Sequence, residues 1–180
     1  VVNRFVAQAI AGIPLTVYGA GEQIKGFIAL EDAMECMTRL IISPPEPGQY
    51  DVVNQVSGLH KVNDTAETIA RVANEKHNLN ASIQRVENPR VETEEHPLEV
   101  VSRKLPNEFG FTPSVPLEKE IDRIFTLLTK PDIKKRIMEK SHTVLPLTRW
   151  NGEKKESGVI ETYKPGEKTY GKFTGKLDLE

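Results

Sequence analysis

The chain has little of several things. It holds one cysteine, Cys36, in 180 residues. An internal disulfide is therefore excluded, and no Cys/His set has the spacing of a zinc site. Aromatics are 6% and hydrophobic residues 38% of the sequence, lean for a globular chain. Neither sign of charge dominates: 24 Lys and Arg stand against 26 Asp and Glu, a formal net charge of −2. That balance argues against a broad basic nucleic-acid surface and against an acidic, solvating protein. Long hydrophobic runs are also missing. The longest mainly apolar stretch, residues 27–42, is interrupted by Glu31, Asp32, Glu35 and Arg39, so no stretch reads as a bilayer span. Cys36 lies in a helical pattern and reads as a small core side chain rather than a reactive thiol. A mean hydropathy of −0.42 implies that part of the length is not core. The expectation is a soluble protein of a reducing compartment such as the cytoplasm. The sequence opens on Val1, already inside a helix-like apolar run and without a signal or transit signature, which reads as the C-terminal part of a longer protein.

What is present alternates between helical and extended patterns. Val2, Phe5, Val6, Ala9 and Ile10 recur at helical spacing with Asn3, Arg4 and Gln8 interleaved, and Gly12 and Pro14 end that helix. Leu15 to Tyr18 predicts a short strand, Gly19-Ala20-Gly21 a turn, and Ile24 to Leu30 a second strand. Glu31 and Asp32 open a helix over residues 31–43, where carboxylates suit the dipole. Residues 50–54 read as a strand. Asn63 or Asp64 caps a helix that runs to about His77, and Ala81 to Val86 reads as a strand. A short helix carrying Leu98, Val101 and Leu105 and a clearer one carrying Leu117, Ile121, Ile124, Phe125 and Leu128 follow. Beyond residue 131 the pattern decays, with one or two helical turns over 132–140. The last thirty residues hold six Lys and six acidic residues, a solvated tail in which 159–163 and 168–173 pair at most as a marginal hairpin.

The chemistry-bearing residues are few. No Ser/His/Asp order, Cys/His pair or metal-ligand cluster stands out. Strand and turn at Thr16-Val17-Tyr18-Gly19 offer edge backbone groups and side chains to a flat base, or are plain architecture. They are not a phosphate cradle, because no Gly-rich fingerprint is present and no helix follows. Lys25 on a strand and Arg90 in a loop are two cations able to clamp a diphosphate, or else two solvated surface charges. The polar run Asn88-Pro89-Arg90-Val91-Glu92-Thr93-Glu94-Glu95-His96 offers carboxylates to ribose hydroxyls, or is an exposed acidic loop.

Three stretches carry a resemblance: VVNRFVAQAIAGIPLTVYGAG, DVVNQ and NPRVETEEH. Over residues 1 to 130 the chain resembles the NAD-dependent sugar-nucleotide epimerase/dehydratases, the extended short-chain dehydrogenases, and within them the UDP-sulfoquinovose synthase branch. The resemblance implies an α/β family with an NAD-binding Rossmann domain. This chain would supply its mixed α+β, substrate-binding C-terminal lobe with a polar tail. Residues 1–130 would be the sugar-nucleotide-binding part, 131–150 a short helical extension, and 151–180 the tail, disordered or a marginal hairpin. It further implies that Val2, Asn3 and Arg4 line the nucleotide end of the pocket, that Thr16, Val17 and Tyr18 lie along uracil, and that Gln23 and Lys25 occupy the diphosphate-gripping turn and strand. Arg90 would be the second phosphate ligand, with Glu92 or Glu95 as acidic partner for ribose or for Arg90. Where the family commonly carries arginine, this chain has Lys25, which keeps the charge and loses the bidentate fork. The catalytic residues and the NAD site would lie upstream, outside this chain. The whole enzyme would take UDP-glucose and sulfite, bind no nucleic acid, span no membrane, and act as a homodimer. A UDP-sugar 4-epimerase or dehydratase relative is the neighbouring reading, and a non-enzymatic nucleotide-sugar-binding protein or remnant the more distant one.

Overall fold

In a computed structural model of the chain, residues 1–86 and 98–145 are described, together with the strand positions 159–160 and 173–174. The first helix, α1 (Val2–Ala11), sets the core. Its Phe5, Val6, Ala9 and Ile10 face inward, as their spacing requires, and each is at most 4% exposed. It stops at Gly12, whose φ of 71° a glycine adopts at no steric cost. The amides of Gly12 and Ile13 return to the Ala9 and Gln8 carbonyls.

The chain then turns into β1 (Leu15–Tyr18) and, past a glycine turn, β2 (Ile24–Phe27). Next come α2 (Leu30–Ile42), β3 (Gly58–Lys61), α3 (Val62–His77) and β4 (Ile83–Val86). Strand β4 pairs parallel with β1, while β2 and β3 form a separate antiparallel ribbon. The helices α4 (Lys104–Phe109), α5 (Leu117–Leu128) and α6 (Pro131–Glu139) follow, then a 3-10 turn over Ser141–Val144. The main core gathers α1, β1, α3 and α5: Leu15 and Val17, Ala66, Ile69, Val72 and Ala73, and Ile121 and Phe125 close on the α1 stripe. The apolar face of α1 is thus covered within this chain.

Polar bonds between distant segments complete the packing. Asp32, only 4% exposed, accepts the amides of Ser114 at 2.9 Å and Val115 at 2.8 Å, so it ties α2 to the approach to α5 as well as sitting in its own first turn. Cys36 is fully buried on α2, and burial pushes its thiol pKa up, as suits a packing side chain.

Four expectations change. Residues 50–54 are not a strand: Tyr50 and Val52 are 85% and 72% exposed, and no strand among the described residues pairs with them. The second strand ends at Phe27 because α2 begins at Leu30. Helix α3 starts at Val62, without a side-chain cap, directly from β3, a strand the sequence reading did not assign. The short helix α4 contains Leu105 but not Leu98 or Val101, which are 37% and 54% exposed. In the last thirty residues, β5 (Val159–Ile160) and β6 (Phe173–Thr174) pair antiparallel.

Candidate functional site

The turn after β1 is built so that only glycine fits. Gly21 has φ 72°, and a Cβ on it would lie 2.2 Å from Asn63 Oδ1 and 2.7 Å from Val17 Cγ1. Asn63 fills that space because it ties the turn to the start of α3. Its Nδ2 donates to the Ala20 carbonyl at 2.7 Å and to Glu22 Oε1 at 3.0 Å, and its amide donates to the Gly21 carbonyl. Lys61 adds an ion pair with Glu22 at 2.7 Å. The hydrogen bonds of Lys61 and Asn63 hold the Glu22 carboxyl below its ordinary pKa. The turn therefore enters β2 in one geometry, with Gln23 half-buried, its carbonyl accepting the Val62 amide, and Lys25 exposed on the strand.

The sequence-predicted residues divide by burial. Thr16 and Val17 are 2% and 0% exposed. Thr16 Oγ1 accepts from Gln8 Nε2 at 3.1 Å, and the Thr16 amide donates to Gln8 Oε1 at 3.1 Å. Val17 belongs to the core between α1 and α3. Their side chains therefore face the interior, and what this stretch of β1 could offer a base is its backbone and Tyr18. Tyr18 is half-buried at the strand end, 5.7 Å from the Arg4 guanidinium to its ring centre, and its hydroxyl accepts from Arg4 Nη2 at 3.3 Å.

Arg4 Nη2 also donates to the Leu145 carbonyl at 2.8 Å. One turn later, Gln8 Nε2 donates to the Val144 carbonyl at 2.8 Å. Together they fasten residues 144–145 onto α1. Arg4 Nε is buried with no acceptor among the described residues. Val2 packs against the core and Asn3 is exposed.

Lys25 is exposed on β2, and the Arg4 guanidinium lies over the Tyr18 ring. Strand β4 ends next to this point, the Gly19 amide donating to the Val86 carbonyl at 2.9 Å. Ligands of α/β folds commonly bind beyond the carboxyl ends of parallel strands. Arg90, Glu92 and Glu95 lie outside the described residues.

Sequence reading missed Gln8, interleaved among the apolar positions of α1, and Arg85, which sits opposite Val17 on β4 and donates to Asn63 Oδ1 at 3.3 Å. No pattern in the sequence singles out either, because their bonds join separate elements. The Gly19–Gly21 turn runs into a strand, so no helix N-terminus stands behind it, and these residues do not fit a dinucleotide pyrophosphate. No group of metal-ligating side chains occurs among the described residues, and no described helix is long and apolar enough to cross a membrane.

No protein-family model matches the chain. Among solved structures, it is similar to an NAD complex of dTDP-glucose 4,6-dehydratase from Bacillus anthracis, with TM-score 0.57 and 16% identity over 76% of this chain and 41% of that one. It is likewise similar to a UDP-glucose complex of UDP-glucose 4-epimerase from Thermotoga maritima, with TM-score 0.53 and 16% identity over 78% of this chain and 39% of that one. The fold is thus that of part of the Rossmann-type sugar-nucleotide epimerases and dehydratases. Sequence narrows this. The chain is 41% identical over 150 residues to UDP-sulfoquinovose synthase of Sulfolobus acidocaldarius and 34% identical over 148 residues to the chloroplastic UDP-sulfoquinovose synthase of Spinacia oleracea. It belongs with the UDP-sulfoquinovose synthase-like members of the NAD-dependent epimerase/dehydratase family. The matches cover 83% and 82% of this chain but 37% and 30% of those relatives, so it spans about a third of their length.

Proposed function

We propose that this chain is the C-terminal, sugar-nucleotide-gripping lobe of an NAD-dependent UDP-sulfoquinovose synthase. The observation that carries the reading is the 41% identity over 150 residues to a protein of that name. Arg4 over the Tyr18 ring and Lys25 exposed on β2 agree with it, since a nucleotide diphosphate is bound by cations. In this reading the complete enzyme converts UDP-glucose and sulfite to UDP-sulfoquinovose for sulfolipid or glycan synthesis. This lobe contributes recognition rather than bond-making. Lys25 and Arg90 neutralise the diphosphate, Tyr18 borders the base, and Glu92 or Glu95 receives ribose hydroxyls or steadies Arg90. Gln23 helps form the same wall, and Val2, Asn3 and Arg4 its nucleotide end. NAD and the catalytic residues belong to a further part of the enzyme, since no dinucleotide cradle occurs among the described residues. That part would also cover α2, whose Leu30, Met34, Met37 and Ile41, at heptad-like spacing, are 69%, 53%, 48% and 74% exposed. The enzyme would work as a homodimer in the cytoplasm, or in the plastid stroma of a photosynthetic cell.

Isothermal titration of the folded 180-residue chain with UDP and UDP-glucose tests the reading. Saturable binding of both is expected, with a loss of about tenfold or more in Lys25→Ala, the effect of losing a charge-assisted bond. Binding unaffected by Lys25→Ala would remove Lys25 from the grip. A folded chain that binds neither ligand would overturn the proposal that these residues form the site by themselves.

A further inference from the structure

The β2–β3 ribbon sets a second polar group beside Lys25. Its register places Lys25 directly opposite His60 and Phe27 opposite Gly58. Side chains alternate faces along a strand, so Lys25, Phe27 and His60 share one face, with the Cβ atoms of the Lys25–His60 pair about 5 Å apart. The four positions of that face carry no carboxylate. Lys61, on the other face, is neutralised by Glu22 at 2.7 Å, whereas Lys25 has no ion-pair partner among the described residues.

The His60 ring packs against an aromatic neighbour. Its centroid lies 5.7 Å from that of Phe27, at an interplanar angle of 45°. The imidazole leans across Gly58: a Cβ there would meet His60 Nε2 at 2.8 Å. Gly58 has no positive φ, and its lack of a side chain leaves room for the ring. Among the described residues, neither ring nitrogen of His60 makes a hydrogen bond or ion pair. A half-buried imidazole against an aromatic ring, with neither nitrogen engaged and an unpaired ammonium on the facing strand, is a donor without an acceptor among the described residues.

We propose that His60 is an anion-binding residue of this site, its imidazole N–H and the Lys25 ammonium gripping the diphosphate of a sugar nucleotide from adjacent strands. The inference rests on the sugar-nucleotide reading given above. Lysine is a flexible point charge that attracts a phosphoryl group without orienting it; the imidazole adds a directional N–H donor.

The test uses the full gene product that contains this chain, titrated with UDP-glucose and separately with uridine, which has no phosphate. His60→Phe keeps a ring against Phe27 and over Gly58 but removes both nitrogens. It should weaken UDP-glucose binding about tenfold, the effect of one lost hydrogen bond to a charged acceptor, and leave uridine binding unchanged. His60→Gln, which keeps an N–H donor, should recover part of that loss. If His60→Phe binds UDP-glucose like the wild type while Lys25→Ala does not, His60 is not a ligand and Lys25 remains one. Wild-type binding by both variants would overturn the His60 assignment together with the diphosphate reading of this strand. An equal loss for uridine and UDP-glucose would make His60 a packing residue and refute the proposal.

Discussion

Gln8→Leu is the substitution whose cost can be worked most fully. Gln8 is completely buried and makes three bonds: to Thr16 Oγ1 at 3.1 Å, to the Val144 carbonyl at 2.8 Å, and from the Thr16 amide at 3.1 Å. Leucine has nearly the same volume, so little cavity is created and the polar groups decide the outcome. The Thr16 amide, in a residue 2% exposed, is left with no acceptor, a penalty of about 1–3 kcal/mol. Thr16 Oγ1 keeps its bond to the Pro14 carbonyl at 3.3 Å and adds little. The Val144 carbonyl is half-buried and can turn to water, which limits its share to about 1 kcal/mol. The total is about 2–4 kcal/mol, or roughly 5–15 °C in Tm for a chain of this size. Urea denaturation should show a lowered midpoint with an unchanged slope, and hydrogen exchange should quicken at the Thr16 amide and over residues 141–145. A loss below about 0.5 kcal/mol, within the range of an ordinary surface change, would refute the view that Gln8 fastens the strand and the 3-10 turn to α1.

Other perturbations probe the turn, the grip and the charges. Gly21→Ala should cost about 3 kcal/mol, from the left-handed backbone and the displacement of Asn63, and denaturation of the variant would read it. Arg90→Ala in the full gene product should weaken UDP-glucose binding by about 1.5–3 kcal/mol, whereas Lys25→Arg should hold or improve it; a tenfold loss in Lys25→Arg would mean that Lys25 serves another purpose. The Glu118 carboxyl is held below its ordinary value of 4.5, first by its hydrogen bond to Arg71 and then by Lys76. Because the folded value is the lower one, this contribution is fully present above pH 4.5 and is lost as pH falls through the folded value. Acid titration of stability should therefore be shallower in Glu118→Gln, and an identical acid limb would contradict the assignment.

Local pattern made much of the fold legible. Apolar spacing defined α1 and α5, glycine and proline marked the end of α1, and β1 and β4 were visible as short extended runs. What failed was whatever depended on partners distant in sequence. Residues 50–54 have strand composition, but with no paired edge among the described residues they stay irregular. Strand β3 is short, polar and next to a helix, so nothing in its own residues announced it, and His60 went unseen with it. Gln8 looked like a solvent-facing residue because its acceptor at Val144 lies 136 positions away. At the site, the resemblance supplied Tyr18 and Lys25, yet only burial revealed that Thr16 and Val17 face the interior. Consecutive strand residues point to opposite faces, so their joint burial means that β1 is covered on both sides, which depends on elements packed from elsewhere.

The central claim, that this chain serves a UDP-sulfoquinovose synthase, is tested most directly by incubating the full gene product with UDP-glucose, NAD and isotopically labelled sulfite and analysing the nucleotide products by mass spectrometry. The account predicts a labelled UDP-sulfosugar with no net accumulation of NADH. Conversion of UDP-glucose to UDP-galactose or to a dehydrated UDP-sugar, with no label incorporated, would contradict it.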